Sequence, residues 1–440
     1  MIPYLKEVLT QLEICSKKKP LKIISHYDTD GITSAVIFAK AMQRLHKSFS
    51  LQIVKNLEKE FIESLPEDHV LVFLDLASNS LPYLAKKKTE VFIFDHHEVD
   101  QAIPENVIMV NPFLTNQESI SSAGIAYLAA KTLSPKNKDL ANLAIIGMVG
   151  DSLEKNLSKF YDSILKDSET IVKKGLLIYP ATRPLDKALE YASNPYIPGV
   201  TGSYKGVIEV LNEAGIPKIG DKYKAIYELT EEEMSRLLTS LTLRCLSENP
   251  SANLIGNIFL VKFFNKLEDA REISALINAC SRMDRIDVSL GFCLGDKNCK
   301  EEAEKIYAQY KQALIEALHY VSESTKISGK SYTIIHGKDM IKDTIIGTVA
   351  SIISNSLSYP EGTIIVALAY NQNKIKVSAR TVGKKGRNVR EVLAKATIPI
   401  GGEVGGHSNA AGCLIDKEKE SIFLEHLINL LEVESMLSKP

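Results

Sequence analysis

The 440-residue sequence has no tryptophan, and its six cysteines (15, 245, 280, 293, 299 and 413) form no C-x-x-C pair. The cysteines sit mostly within apolar runs, which suits a reducing cytosol in which thiols act as small hydrophobes. Any stacking on bases therefore falls to tyrosine and phenylalanine. The formal net charge is −1, so overall charge does not advertise a nucleic-acid partner, and evidence for one has to be local. No apolar stretch approaches the roughly 20 residues that span a bilayer, and the first residues lack a signal-peptide pattern. There is no internal repeat and no low-complexity tract. These absences predict a cytoplasmic protein with no membrane partner. Hydrophobic residues make up 45% and charged residues 24%, ordinary for a globular chain. The length implies two or three domains.

The first 150 residues alternate strand-like and helix-like signals. Leu21–Ser25, Val70–Leu76, Val91–Phe94 and Val107–Val110 are short apolar runs, and Leu140–Val149 is a longer one. Ile32–Leu45 and Ser119–Thr132 have helical spacing, with Ser119, Ser121 and Ser122 as candidate caps. Fully apolar strands separated by helices predict an α/β domain built on a parallel sheet, with ligands at the carboxyl ends of its strands. Residues 152–200 are irregular and Pro-rich, and the expectation is a connector that wraps this domain. Residues 205–325 read as mainly helical, including Thr230–Leu246, Asp269–Cys280 and a long amphipathic Lys300–Ser322 that would link domains. From 330 onward Tyr332–His336, Gly362–Tyr370 and Lys374–Ala379 read as strands, with helices at Thr344–Asn355 and Asn388–Lys395. The expected domains are thus 1–200, a helical 201–329, and a smaller α/β domain at 330–440.

Acids and histidines gather where the first domain's apolar runs end: His26-Tyr-Asp28-Thr-Asp30-Gly31, Asp75, Asp95-His96-His97, and Asp151, read as a fifth strand end. His26, Asp28 and Asp30 are spaced i, i+2, i+4, which would put all three on one face if the strand continued that far. A lone D-x-D-G is usually a turn and a lone Asp-His-His says little. Costly acids at several strand ends together point to divalent cations. Hard oxygens with imidazoles suit Mn²⁺ or Mg²⁺. Asp75, alone at its strand end, is the natural bridge between two ions. His96 would be a direct ligand, His97 would face a phosphate oxygen, and Asp95 would orient a histidine.

Ser25-His26-Tyr27-Asp28-Thr29-Asp30-Gly31, Leu74-Asp75, Phe94-Asp95-His96-His97 and Gly150-Asp151 together resemble motifs I to IV of the DHH phosphoesterase superfamily, and within it the archaeal RecJ-like nucleases. The resemblance implies that Asp28, Asp30, Asp75, His96 and Asp151 hold two Mn²⁺ or Mg²⁺ ions, with His97 near substrate. One position departs from the pattern. Many members carry a ligand histidine four residues before the first aspartate, where this chain has Ile24, and His26 stands where bacterial RecJ proteins tend to carry an acid. His26 is therefore the ligand the family pattern supports least.

Residues 371–390 contain seven Lys/Arg and no acid, a local footprint suited to phosphates. Lys384, Lys385 and Arg387 belong to this run. Gly405-Gly406-His407-Ser408-Asn409-Ala410-Ala411-Gly412 follows, with closely spaced glycines that let a backbone approach a ligand. The order resembles the DHH-associated C-terminal domain, in which a Ser-x-Arg strand (here Ser378-Ala379-Arg380) precedes a Gly-rich His loop; Val404 replaces that loop's first glycine. By that resemblance Arg380 and His407 hold a strand's phosphates. Ile277–Met283 also resembles a run in archaeal RecJ-like chains, although a half-buried helix end is the plainer reading. Two domains joined by a long helix favour a threaded single strand over duplex. The expected activity is a metal-dependent exonuclease on single-stranded DNA or RNA, working in replication or repair, with His97, Asp95 and Arg380 in catalytic roles. Two alternatives stay open: a phosphodiesterase for short oligoribonucleotides or cyclic dinucleotides, and a scaffold that binds GINS at the replicative helicase.

Overall fold

A strand such as Val70–Leu74, buried at every position, needs cover on both faces, and a parallel sheet flanked by helices supplies it. In the computed structural model this sheet has five strands: β1 (Leu21–His26), β2 (Phe49–Val54), β3 (Val70–Leu74), β4 (Val91–Phe94) and β5 (Val107–Val110). Their order is β2-β1-β3-β4-β5, and every pairing is parallel. The structure describes residues 2–437 other than 116, 179, 193–196, 247–253, 357 and 384. The chain divides into two compact units, Met1–Tyr307 and Ala308–Pro440.

In the first unit, alternate residues of the sheet enter two cores. Ile23, Val70, Val72, Leu74, Phe92 and Phe94 pack against helices α1 (Ile2–Cys15), α2 (Thr29–Arg44), α3 (Ser122–Leu133) and α4 (Ala141–Gly150). Ile24, Leu71, Phe73, Val91 and Ile93 face the other way, onto Ile62, Leu81 and Leu84. A separate core gathers side chains from Leu176 to Leu260, including those of α5 (Tyr204–Glu213) and α6 (Glu231–Leu246). The 205–325 region is less helical than its sequence suggests. It contributes two strands, β7 (Ile255–Phe263) and β8 (Lys266–Asp269), which pair antiparallel with each other. β6 (Ile171–Leu176), from the stretch read as irregular, completes a β6-β7-β8 sheet. Ile258 to Val261 of β7 are all buried, so the strand lacks the alternation that would have revealed it. Helix α7 (Ala270–Arg282) follows, capped by Asp269, whose side chain accepts from Arg271 N.

Two further expectations are corrected. The Leu140–Val149 run is a helix, not a fifth strand, and Asp151 is its C-terminal cap. Its residues are nearly all apolar and buried, and a buried helix shows no polar face to distinguish it from a buried strand. The first strand also stops at His26: Asp28 caps α2 and Asp30 lies in that helix's first turn, so the three side chains do not share a strand face.

The second unit holds a six-stranded sheet in the order β13-β14-β12-β11-β10-β9. Its strands are β9 (Ile327–Ser328), β10 (Tyr332–His336), β11 (Ile364–Asn371), β12 (Lys374–Thr381), β13 (Glu403–His407) and β14 (Ala410–Asp416). Among its described pairings only β10–β11 is parallel. Helix α8 (Lys297–Glu323) contains the boundary between units. Val377, Ala379, Ala411 and Cys413 turn toward α10 (Val389–Thr397) and α11 (Glu420–Leu437), while α9 (Asp343–Ser354) packs against β11 and β12. Among the described residues no helix is long and apolar enough to cross a membrane, and Cys15, Cys280, Cys293, Cys299 and Cys413 are free thiols.

Phe38 of α2 is fully buried, with its ring centroid 5.5 Å from that of Phe94 in β4. Phe38→Ala is expected to cost about 3–5 kcal/mol, read as an earlier unfolding transition of the first unit in urea.

Candidate metal centre

The strand order reverses between β1 and β3, and the carboxyl ends flanking such a switch point leave an open crevice. The chain fills it with acids. His26 ends β1, Asp28 caps α2 through an Asp28 Oδ1 contact from Gly31 N at 3.0 Å, and Asp75 follows β3. Asp75 N donates to Phe94 O at 3.0 Å, and its φ is +62°, a backbone conformation costly for a residue with a Cβ. Ala77, two residues on, has φ +92°. Such strain persists only where the surroundings over-determine it, and it aims Asp75 into the crevice.

Two clusters of potential ligand atoms share Asp75. One is His26, Asp28 and Asp75; the other is Asp30, Asp75, His96 and Asp151. In the first, His26 Nδ1 lies 3.0 Å from Asp28 Oδ2 and 3.5 Å from Asp75 Oδ2. In the second, His96 Nε2 lies 3.0 Å from Asp151 Oδ2, 3.5 Å from Asp75 Oδ1 and 3.8 Å from Asp30 Oδ2. His97 also groups with Asp75 and His96. Every ligand candidate named from sequence in this unit is thus at one place.

The electrostatics are those of a cation site. Burial pushes Asp30 well above the usual carboxylate range, and Asp151 and Asp75 push it further. Asp151 is raised in the same way, by burial first and then by Asp75 and Asp28, against the relief His96 gives. Burial alone would lower the two imidazoles. The carboxylates outweigh it, with Asp28 and Asp75 holding His26, and Asp151, Asp75 and Asp30 holding His96, well above the ordinary value. Asp28 is lowered despite burial because His26 faces it. His26 Nδ1, Asp75 Oδ2 and His96 Nε2 are buried yet make no hydrogen bond, although each sits close to opposite charge. Inward-facing atoms of this kind, all oxygen or imidazole nitrogen, fit a hard divalent cation in each cluster.

The remaining bonds hold the acids still. Asp30 accepts from Ser122 N (2.7 Å) and Ala123 N (2.9 Å), so the N-terminus of α3 steadies a carboxylate belonging to α2. Ser122 Oγ donates to Asp75 Oδ1 at 3.1 Å. Asp95 lies behind the site, fully buried and lowered below the carboxylate range against burial by His97. It accepts from Ser78 Oγ (2.5 Å) and from His96 N (2.8 Å), and pairs with His97 Nδ1 at 2.7 Å. That pairing engages Nδ1 and, over the opposing effect of burial, raises the imidazole to about 8. Sequence reasoning missed Ser122 and Ser78 as ligand supports. The Ser121-Ser122 pair was visible only as a helix cap, and Ser121 is that cap, accepting from Gly124 N.

In the second unit, Arg380 of β12 and His407 of β13 are both in register with Ala410 of β14, and Ser378 shares a row with Gly412 and Gly405. Directly opposed residues point to one face, so all these positions share it. Arg380 Nε donates to Ser351 Oγ of α9 at 2.9 Å, and Nη1 to Ala379 O at 2.8 Å. The 405–409 turn is exposed, and so is Lys385. Arg387 turns inward, donating to Leu430 O at 3.1 Å. Lys384 lies outside the described residues.

Residues 21–148 match the DHH family N-terminal domain, 179–259 the DHH-CID domain and 329–433 the DHHA1 domain. The chain belongs to the DHH superfamily. A relative of nearly the same length is the uncharacterized protein MJ0831 of Methanocaldococcus jannaschii, 28% identical over 430 residues and 93% of each chain. The Bacillus subtilis protein YorK, a putative prophage-derived single-strand DNA-specific exonuclease, is 28% identical over 178 residues, 36% of this chain and 31% of that one. Among solved structures, RecJ of Thermus thermophilus in complex with Mn²⁺ superposes with a TM-score of 0.60 at 17% identity, over 96% of this chain and 54% of that one. This chain therefore spans about half of that RecJ. CDC45 of Entamoeba histolytica superposes with a TM-score of 0.64 at 12% identity, over 98% and 99% of the two chains. The fold is RecJ-like, with a parallel-sheet N-terminal domain and a C-terminal sheet domain.

Gly147 of α4 shows how tightly the second cluster is packed. A Cβ there would lie 2.6 Å from Asp30 Oδ1 and 2.5 Å from Ala123 Cβ. Gly147→Ala is expected to displace Asp30, weaken Mn²⁺ binding about 10–100-fold in calorimetry and cost about 1–3 kcal/mol in stability.

Proposed function

We propose that the protein is a divalent-metal-dependent exonuclease, acting from an end of single-stranded DNA or RNA, with Mn²⁺ as its preferred ion. The observation that carries this reading is Asp75, one carboxylate belonging to two ligand clusters. His26 and Asp28 would hold one cation, and Asp30, His96 and Asp151 the other, with Asp75 between them. Bound there, the pair supplies Lewis-acid polarisation of a phosphodiester and a nucleophile at neutral pH. The chain's own groups do the rest. His97, fixed through Nδ1 by Asp95, presents its other nitrogen to a non-bridging phosphate oxygen and balances charge that develops there. Arg380, His407 and the 405–406 backbone grip the strand's phosphates, with Ser378 beside them and Lys384, Lys385 and Arg387 adding to the positive field. In this scheme 1–200 carries the chemistry, 201–329 supports it and 330–440 holds the strand. A role in replication or repair, in the cytoplasm, belongs to the same proposal.

The similarity to the CDC45 structure across nearly the whole chain fits one further reading, a replisome scaffold docking on GINS. All the candidate ligands are present and convergent, which supports hydrolysis even in a protein that also docks on partners.

The decisive assay follows end-labelled single-stranded DNA and RNA, 5′ and 3′, with Mn²⁺. Wild-type protein is expected to shorten at least one strand, chelation to abolish cleavage, and Asp75→Ala to lower the rate about 10²–10⁴-fold. Rapid cleavage of dinucleotides with intact long strands would support the small-substrate alternative instead. Stable capture of GINS by a protein inactive on every substrate would establish the scaffold. Arg380→Ala is expected to weaken strand binding and reduce the log–log salt slope by about 1, with Mn²⁺ uptake unchanged.

A further inference from the structure

The Asp28–Asp30 turn supplies a residue to each cluster, so its geometry fixes how the two are spaced. Asp28 belongs with His26 and Asp75, and Asp30 with His96 and Asp151. Between them stands Thr29, the first residue of α2, whose N–H has no partner within its own helix. Asp28 spends its capping bond on Gly31 N. The Thr29 N–H is taken from 249 residues away, by Asn278 Oδ1 of α7 at 3.1 Å. The same helix holds the Thr29 side chain: Thr29 Oγ1 donates to Ser274 O at 3.0 Å, and Ser274 Oγ donates to Thr29 Oγ1 at 3.2 Å. Thr29 also meets α4 one residue before Asp151, where a Cβ on Gly150 would lie 2.8 Å from Thr29 Cβ.

We infer that Asn278 is a positioning residue of the metal centre, setting the Asp28–Asp30 turn through the Thr29 amide from a helix that lies outside all three matched domains. The inference rests on the two-cation reading above. Helix α7 falls between the segments 179–259 and 329–433. Asn278 touches no ligand atom, and a bond to a backbone amide is invisible to any search for ligating side chains. An amide oxygen suits the task because it accepts strongly and adds no negative charge beside two acids that cations are to neutralise. Without it the Thr29 N–H turns to water, and the spacing of the two ligands relaxes with it. Neighbouring groups that orient ligands in this way commonly control affinity about 10–100-fold.

The test uses the full-length protein and Mn²⁺ alone, by titration calorimetry well below the unfolding transition, with amide hydrogen exchange at Thr29 measured in metal-free protein. The wild type is expected to bind two ions and to protect the Thr29 amide. Asn278→Ala is expected to bind at least one of them about 10–100-fold more weakly and to exchange that amide faster. Asn278→Asp keeps the acceptor and is expected to restore protection of the Thr29 amide, while the charge it adds shifts the ion affinity. Thr29→Val removes only the Oγ1 link, and is expected to weaken binding in the same direction should Asn278→Ala not fold. A purely structural role would lower the melting temperature of Asn278→Ala and leave the binding isotherm unmoved. Wild-type isotherms for the folded alanine and valine variants overturn the inference while leaving the two-cation reading intact. Failure of the wild type to bind Mn²⁺ overturns that reading, and the inference with it.

Discussion

Mutual repulsion of buried carboxylates around Asp75 is the constraint the first unit is built to withstand. Asp30 and Asp75 are almost fully buried, and Asp151 and Asp28 face the same space. Burying uncompensated ions costs several kcal/mol each, and the left-handed backbone of Asp75 adds about 1–3 kcal/mol. Against a typical net stability of about 5–15 kcal/mol, such a site is a large liability. The protein limits it with fixed dipoles. The first amides of α3 meet Asp30, the Ser122 hydroxyl meets Asp75, and two raised imidazoles stand among the acids as partial counter-charge. A divalent cation in each cluster would complete the compensation, so metal binding is expected to stabilise the fold as well as enable the chemistry.

Convergence of these groups is a consequence of topology. Parallel strands all end on one edge, so His26, Asp75 and the Asp95–His97 segment arrive together from three separate stretches of chain. The other two acids arrive on helices: Asp30 in the first turn of α2 and Asp151 at the last turn of α4. A helix start brings amides to the centre and a helix end brings carbonyls. The start of α3 sets its amides opposite Asp30, and the end of α4 sets a cap carboxylate at the centre.

The central sheet and the acids at its strand ends were legible because their signals are local. Val70–Leu74 and Val91–Phe94 are unbroken apolar runs followed directly by acids, and runs this short are too brief for a buried helix. Asp151 was read as a strand end and instead caps a helix, since a buried ten-residue helix and a buried strand share one apolar signature. β7 was missed for the same reason. Ser122 and Asn278 were beyond reach for a different reason: their partners are backbone amides and a carboxylate 47 to 249 residues away. Serine and asparagine also occur too often at caps and turns to signal such a role.

The C-terminal loop separates what the fold demands from what it does not. Gly406 has φ +117°, and a Cβ there would come within 2.4 Å of Ala410 O, so the hairpin itself requires glycine. Gly405 has no such reason, because a Cβ at that position would meet nothing within 4 Å. Glycine lowers strand stability by about 0.5–1 kcal/mol relative to alanine, so its presence on an exposed strand needs a cause outside the fold. Gly405 shares a row of the sheet with Ser378, two strands away, and the next row holds Arg380 and His407. A phosphate backbone lying across these rows would need close access to the main chain at 405, which a side chain would deny. On the proposed reading, then, Gly406 shapes the loop and Gly405 keeps it open.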